Sequence, residues 1–246
     1  MNMRAPDAVM PQPGPVSRAL IRMFMKQARI VHAEALADDV RLLTIDSPAF
    51  RGVDWVPGQK IQLTMGSAFV ARTYTPIEWD AVAGRTRIVS YAHGSGPGST
   101  WVRHVMPGDE CTVFGPRASL DVGRVSGACV MLGDETSIAL TYAFRQRLTE
   151  SAVRCLLEVG DLVDTHEVLG RLGLDGVELF SRSAGDEHLE DMASRLSAPA
   201  MAEATFVLTG KASSIQRWRR ELSALGVPAA RIMAKAYWAP GKTGMD

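Results

Sequence analysis

Arg72, Tyr74 and Thr75 place a fixed cation, an aromatic face and a hydroxyl within four residues, at the end of an extended-looking run. In a strand, side chains alternate, so Arg72 and Tyr74 share one face. Thr75 then falls at the strand end, where its hydroxyl and backbone N–H can turn toward a ligand. A flavin nucleotide needs these three groups: a charge on its pyrophosphate, a flat surface beside its ring, and a donor near the nitrogen that carries hydride. An ordinary exposed strand offers the same residue types, so the surroundings decide.

Glycine is concentrated in the segment Gly94-Ser95-Gly96-Pro97-Gly98-Ser99-Thr100, ahead of a short helical pattern from Trp101 to Met106. Glycines let backbone approach an anion closely, and Ser99 and Thr100 are candidates to cap the helix start, where unpaired N–H groups favour phosphate. A plain flexible loop is the other reading. A third polar cluster, Asp134-Glu135-Thr136, follows the apolar run Ala128–Leu132.

The elements that must position these groups fall into two textures. Ala28–Leu36, Val40–Asp46, Lys60–Met65, Phe69–Thr75, Thr86–Ala92 and Glu110–Phe114 are short, partly alternating and broken by turns, which predicts an antiparallel barrel or sandwich. From Ser126 onward, continuous apolar runs at Ala128–Leu132, Val153–Val159, Gly176–Phe180, Thr205–Leu208 and Ile232–Tyr237 interleave with helical patterns at Ser137–Leu148, His188–Leu196 and Ser213–Leu225. That alternation predicts a doubly wound parallel sheet, with ligands at the carboxyl ends of its strands. The expected organisation is a tail over residues 1–16, a β-barrel domain over 17–125 and an α/β domain over 126–246.

The chain has 246 residues, 46% of them hydrophobic and 22% charged, enough for two ordinary cores. Lys+Arg and Asp+Glu number 27 each, which gives no bulk electrostatic case for a nucleic-acid partner. No apolar run approaches the length of a membrane span. Cys111, Cys129 and Cys155 are widely spaced in apolar runs and read as reduced, buried thiols of a cytoplasmic protein. The histidines show no metal-ligand spacing.

In order, Pro57-Gly58-Gln59, Arg72-x-Tyr74-Thr75, His93-Gly94 leading to Gly96-Pro97-Gly98-Ser99, Pro107-Gly108-Asp109, Gly115-Pro116-Arg117, Leu132-Gly133-Asp134-Glu135-Thr136 and Ala236-Tyr237-Trp238 resemble the siderophore-interacting protein family, a branch of the ferredoxin-reductase-like flavoproteins. The resemblance implies an FAD-binding barrel followed by a nicotinamide-dinucleotide domain. The implied activity is reduction of ferric iron in a siderophore by NADPH, with NADH as the alternative donor. It also implies that Arg72 contacts the flavin pyrophosphate, Tyr74 packs on the flavin and Thr75 stands near the reactive nitrogen. His93, Gly94, Gly98, Ser99 and Thr100 would hold the phosphate side. Asp134, Glu135 and Thr136 would lie near the nicotinamide.

Several positions depart from that pattern. Ile77 and Glu78 stand where a further arginine is common, Lys211 where an acid is usual, and Ala239 where the family carries arginine after Tyr-Trp. Lys235 and Lys242 are the candidates to replace that lost cation toward the substrate; a solvated C-terminal tail is the alternative. Arg182, after the run ending at Phe180, sits where a dinucleotide fold reads the adenosine ribose, and its charge suits the extra phosphate of NADPH. Arg103, Arg117 and Arg124 are candidates for a basic patch that would suit a ferredoxin partner. A protein that binds flavin or ferric siderophore without turnover is the non-enzymatic alternative.

Overall fold

The computed structural model describes residues 25–65, 67–94, 96–125, 127–148, 153–197 and 203–242; the expected tail over 1–16 lies outside them. The first half forms a seven-stranded antiparallel sheet from β1 (Lys26–Ala37), β2 (Val40–Asp46), β3 (Lys60–Met65), β4 (Ser67–Tyr74), β5 (Pro76–Asp80), β6 (Arg85–Tyr91) and β7 (Glu110–Arg117). Their order is β4-β3-β7-β1-β2-β6-β5, so β4 and β5 are the two edges. Only Thr75 separates them in sequence. The sheet therefore curls until its edges meet at Thr75, the barrel-like solution to the exposed-edge problem. Proline at the head of β5 is tolerated because that strand is an edge. The same Pro76 hides β5 from a sequence reading.

Helix α1 (Pro97–His104) interrupts the strands between β6 and β7. It starts four residues before the expected Trp101, because Pro97 occupies the first turn, where a missing N–H costs nothing. Ser99 and Thr100 consequently lie inside the helix rather than capping it. Gly96 is the N-cap and supplies no side-chain bond, while Ser99 Oγ donates to the His93 carbonyl at 2.6 Å.

The second half is a five-stranded parallel sheet of β8 (Cys129–Asp134), β9 (Val153–Val159), β10 (Val177–Ser181), β11 (Thr205–Lys211) and β12 (Ile232–Trp238), in the order β10-β9-β8-β11-β12. Its helices are α2 (Ile138–Arg147), α3 (Leu162–Arg171), α4 (His188–Ser194) and α5 (Ala212–Ala224). The chain leaves β8 toward β9 and later returns on its other side as β11, so the switch point lies between β8 and β11. All six residues of β8 are buried, as expected of a central strand covered on both faces.

Burial decides how the halves join. One apolar cluster fills the barrel, including Ile30, Leu43, Ile45, Ile61, Leu63, Ile88 and Val113. A second lies under α4 and α5, around Leu189, Met192, Trp218 and Leu222. The third crosses between the halves. It joins Val40, Leu42, Ile77 and Val89 of β2, β5 and β6 to Ile138, Phe144, Val168 and the sheet residues Met131 and Leu157. The barrel wall formed by β2 and β6 is thus buried on both faces: Leu43 and Ile88 point in, Leu42 and Val89 point out against the α/β half. The layers run barrel, α2 and α3, sheet, α4 and α5.

A shared core predicts shared unfolding. Phe144→Ala removes a fully buried ring and should destabilise by about 3–5 kcal/mol. Near-UV and far-UV circular dichroism should still report one coincident thermal transition. Two separated transitions in the native chain would show that the seam does not couple the halves.

Candidate functional site

Arg72 reaches the start of α1 because residue 98 is glycine. A Cβ there would lie 2.8 Å from Arg72 Nε and 3.0 Å from its Cγ. The guanidinium is steered by an Nη1 bond to the Ala71 carbonyl at 2.8 Å. A cation and an uncapped helix start therefore converge, which is a fit for pyrophosphate. Arg103 braces the adjoining loop: Nη1 donates to the Gly94 carbonyl, Nη2 to the Ala92 carbonyl and Nε to Asp39 Oδ1, each at 2.9 Å. Gly94 itself has φ +72°, a conformation open to glycine. Arg103 is thus part of the loop's scaffold. With Arg117 stacked 4.3 Å from the Phe114 ring centre and Arg124 exposed on the turn Val122–Arg124, the three arginines have separate local roles.

Tyr74 is half-buried against the barrel core, and burial pushes its phenol far above the ordinary range. Thr75 shares a hydrogen bond with Tyr237 of β12, so the point where the barrel edges meet is tied to the last strand of the other half. Burial likewise raises the Tyr237 phenol. The neighbouring Trp238 ring lies 5.6 Å from His93, which in turn lies 6.0 Å from Tyr91. Partial burial and the charge of Arg72 hold the His93 imidazole below its usual range. Thr100 stays exposed on α1, its carbonyl engaged with His104 Nδ1 at 2.7 Å.

Asp134 turns inward. Its Oδ1 accepts the Thr136 N–H at 2.9 Å and also the Thr136 hydroxyl; its Oδ2 accepts the Trp238 indole N–H at 2.7 Å. Gly210, at φ +95°, lets β11 pass so close that a Cβ would overlap the Asp134 carboxylate. Burial pushes this carboxyl up to about 6, with the Thr136 and Trp238 bonds opposing that rise.

Glu135 is also buried, its Oε1 accepting the Gly160 N–H at 2.6 Å and its Oε2 accepting from Arg182 Nη2 at 2.8 Å. Arg182 further donates to the Glu158 carbonyl at 3.0 Å and approaches Glu158 Oε2 at 3.5 Å. His188 Nδ1 accepts the Ser183 N–H at 3.1 Å, which places its proton on Nε2, 2.9 Å from Glu158 Oε2. The arginine expected on the ribose is therefore turned into the protein. Lys235 donates to Ser119 at 3.1 Å and so lies where the barrel's exit segment meets β12, while Lys242 is exposed near the chain end.

Tyr237 and Trp238 were legible only as part of a motif. Their signal is position: two aromatic side chains with polar tips at the carboxyl end of a parallel strand. Lys60 gave no such signal. The strand register sets it opposite Arg117, on a face with Gln62 and Phe114.

Residues 14–120 match the sequence model of the siderophore-interacting FAD-binding domain. The Arg72–Gly98 contact and the Thr75 junction both lie within the matched stretch. An NADPH-dependent ferric-chelate reductase of Escherichia coli (strain K12) is 27% identical over 173 residues, which cover 68% of this chain and 66% of that protein. The fold is shared with the siderophore-interacting protein SipS from Aeromonas hydrophila (TM-score 0.73, 22% identity, 89% of this chain and 93% of that one). It is also shared with a siderophore utilization protein from T. fusca (TM-score 0.72, 19% identity, 90% and 95%). Among the described residues, no helix is long and apolar enough to cross a membrane.

The Asp134 environment has a measurable pH signature. Its folded-state value lies above the ordinary 3.8. Its stabilising contribution is therefore complete below that ordinary value and is lost as pH rises through about 6, a change of about 3 kcal/mol. Asp134→Asn should remove that slope, so its stability relative to the native chain should improve by roughly that amount between pH 4 and 7. Parallel denaturation curves for the two proteins across that range would refute it.

Proposed function

We propose that this chain is an FAD-dependent reductase that takes hydride from a nicotinamide dinucleotide and passes electrons to ferric iron held in a siderophore or similar chelate. The observation that carries the reading is the convergence at Thr75. The barrel edges meet there, beside the Arg72 phosphate seat, and Tyr237 brings the carboxyl edge of the parallel sheet to the same point. Two nucleotides bound at their respective seats would have their redox ends directed to one place.

FAD, when bound, supplies the conversion between a two-electron donor and a one-electron acceptor. The chain's residues supply position and charge. Arg72 neutralises the pyrophosphate while the start of α1 offers N–H donors to it. His93, Gly94, Gly98 and Ser99 shape the loop around that anion, and Thr100 extends the helix away from it. Tyr74 forms the wall beside the ring. Thr75, oriented by Tyr237, offers a hydroxyl at the hydride-accepting position. Asp134, Glu135 and Thr136 shape the nicotinamide side: Asp134 fixes both Thr136 and Trp238, and Glu135 fixes the Gly160 turn. Lys60 and Arg117, paired across β3 and β7 one strand from Thr75, form an electropositive surface for an anionic ferric chelate. Lys235, at the Ser119 contact, extends that surface, and Lys242 is the more distant candidate. A ferredoxin partner is less well served, because Arg103 is consumed by Asp39 and the glycine loop.

The native protein should purify yellow or take up FAD. Anaerobic NADH or NADPH should bleach the flavin absorbance, and a ferric chelate should restore it. Bleaching that no ferric chelate reverses would sink the acceptor assignment while leaving a flavin reductase. Arg72→Ala should weaken FAD binding by about 10- to 100-fold, the worth of a charge-assisted contact; retention at native affinity would remove Arg72 from the seat. Lys60→Gln should raise the KM for an anionic ferric chelate several-fold without slowing bleaching by the nicotinamide. An equal loss in both half-reactions would place Lys60 elsewhere.

A further inference from the structure

We infer that the dinucleotide site selects NADH over NADPH, because Arg182 and Lys211, the cations at the carboxyl ends of β10 and β11, already serve as counter-ions inside the protein. The inference rests on the hydride-transfer reading above and deepens it.

In this fold the adenosine ribose lies over the carboxyl ends of the strands on one side of the switch point, here β9 and β10. A 2′-phosphate adds up to about two negative charges there, so NADPH binding needs an uncommitted cation. Arg182 occupies the right place in the chain, just after β10, with its N–H on the Val159 carbonyl at 2.7 Å. Its side chain does not point outward. It spans Glu135 at 2.8 Å and Glu158 at 3.5 Å, and those carboxylates are only 5% and 2% exposed. Withdrawing the guanidinium toward a ligand would leave two enclosed carboxylates short of a counter-charge, a larger loss than one solvent-facing phosphate contact restores.

Lys211 is similarly occupied. Its ammonium lies 3.4 Å from Asp186, and its side chain is 15% exposed. Asp186 sits at φ 59°, a left-handed conformation uncommon outside glycine and asparagine or aspartate, in the loop between β10 and α4. The same loop carries Glu187, and Asp161 caps α3 alongside. Asp134, Glu135, Glu158, Asp161, Asp186 and Glu187 therefore outnumber Arg182 and Lys211 at this edge. A ribose hydroxyl can donate to such acids; a phosphate is repelled by them. The Escherichia coli relative described as NADPH-dependent is 27% identical over its aligned part, and this inference separates the present chain from it on its own residues.

The test is anaerobic stopped-flow bleaching of the FAD-loaded protein by NADH and by NADPH, comparing limiting rate over half-saturating concentration. The native chain should favour NADH by about tenfold or more. Asp186→Asn should free Lys211 and raise the ratio of NADPH to NADH efficiency several-fold. Arg182→Ala, where it folds, should affect both dinucleotides alike. Native preference for NADPH, or a loss confined to NADPH in Arg182→Ala, would overturn the inference while leaving the reductase intact. Bleaching by neither dinucleotide would overturn the hydride-transfer reading itself, and this inference with it.

Discussion

The apolar seam between the barrel wall and α2 fixes how Thr75 stands against the carboxyl edge of the parallel sheet, and the reductase proposed above needs that relation held, because hydride transfer tolerates little slack between donor and acceptor. Ile77 and Val89 on the barrel side share one buried cluster with Ile138 and Phe144 on the other. Interdomain contacts are often polar and mobile; this one is a continuation of the core. The Arg72 end and the Asp134 end of the candidate site are consequently joined through one packed core. The ion pair between Arg171 and Glu34, with Arg171 Nη1 on the Ala35 carbonyl at 2.7 Å, closes the same seam at its exposed margin. Being solvent-facing, it adds orientation more than stability.

Against that fixed seam, the carboxyl edge of the parallel sheet concentrates charge in low-dielectric surroundings. Glu135 and Glu158 are tolerable there because Arg182 lies between them, and because the Gly160 N–H bonds Glu135 Oε1 and the His188 imidazole bonds Glu158 Oε2. These contacts lock the loops after β8, β9 and β10 together. Asp134 stands next to this network but is served only by neutral donors. Burial raises its carboxyl to about 6, the Glu135 and Glu158 charges add to the rise, and the Thr136 and Trp238 bonds oppose it.

Much of the fold was legible because its periodicities are clean. The alternating strands of β1, β2 and β6 and the continuous apolar β8 and β9 need only local patterning. β5 was hidden by Pro76, whose tolerance depends on the strand being an edge, a tertiary fact. α3 was hidden by its polar face, including Asp164, His166 and Glu167, which reads locally as loop. At the site, Arg72 and Thr75 were legible because a strand end presents its residues in a fixed order. Arg182 follows β10 directly, but the direction of its side chain depends on Glu135 and Glu158, 47 and 24 residues away. The helix caps failed for a similar reason. Ser99 and Thr100 have the right chemistry, but Pro97 moves the helix start upstream and buries Ser99.

The last strand shows how little backbone is needed to link Thr75 to Asp134. Opposite β11, the register slips between Gly210 and Lys211: Gly210 pairs with Ala236, Lys211 with Trp238, and Tyr237 is the extra residue. Such a bulge bends the strand and re-aims its side chains. Here it sends the Tyr237 hydroxyl to Thr75 on the barrel and the Trp238 indole to Asp134 on the sheet. Gly210 is what makes the slip possible, since its positive φ and missing Cβ leave room for the Asp134 carboxylate. A regular strand would have paired Tyr237 with β11 and lost one of the two links. The geometry at Thr75 is therefore set by a one-residue irregularity at the opposite end of the sequence, which explains why Tyr237 and Trp238 matter as a pair rather than as two independent aromatic residues.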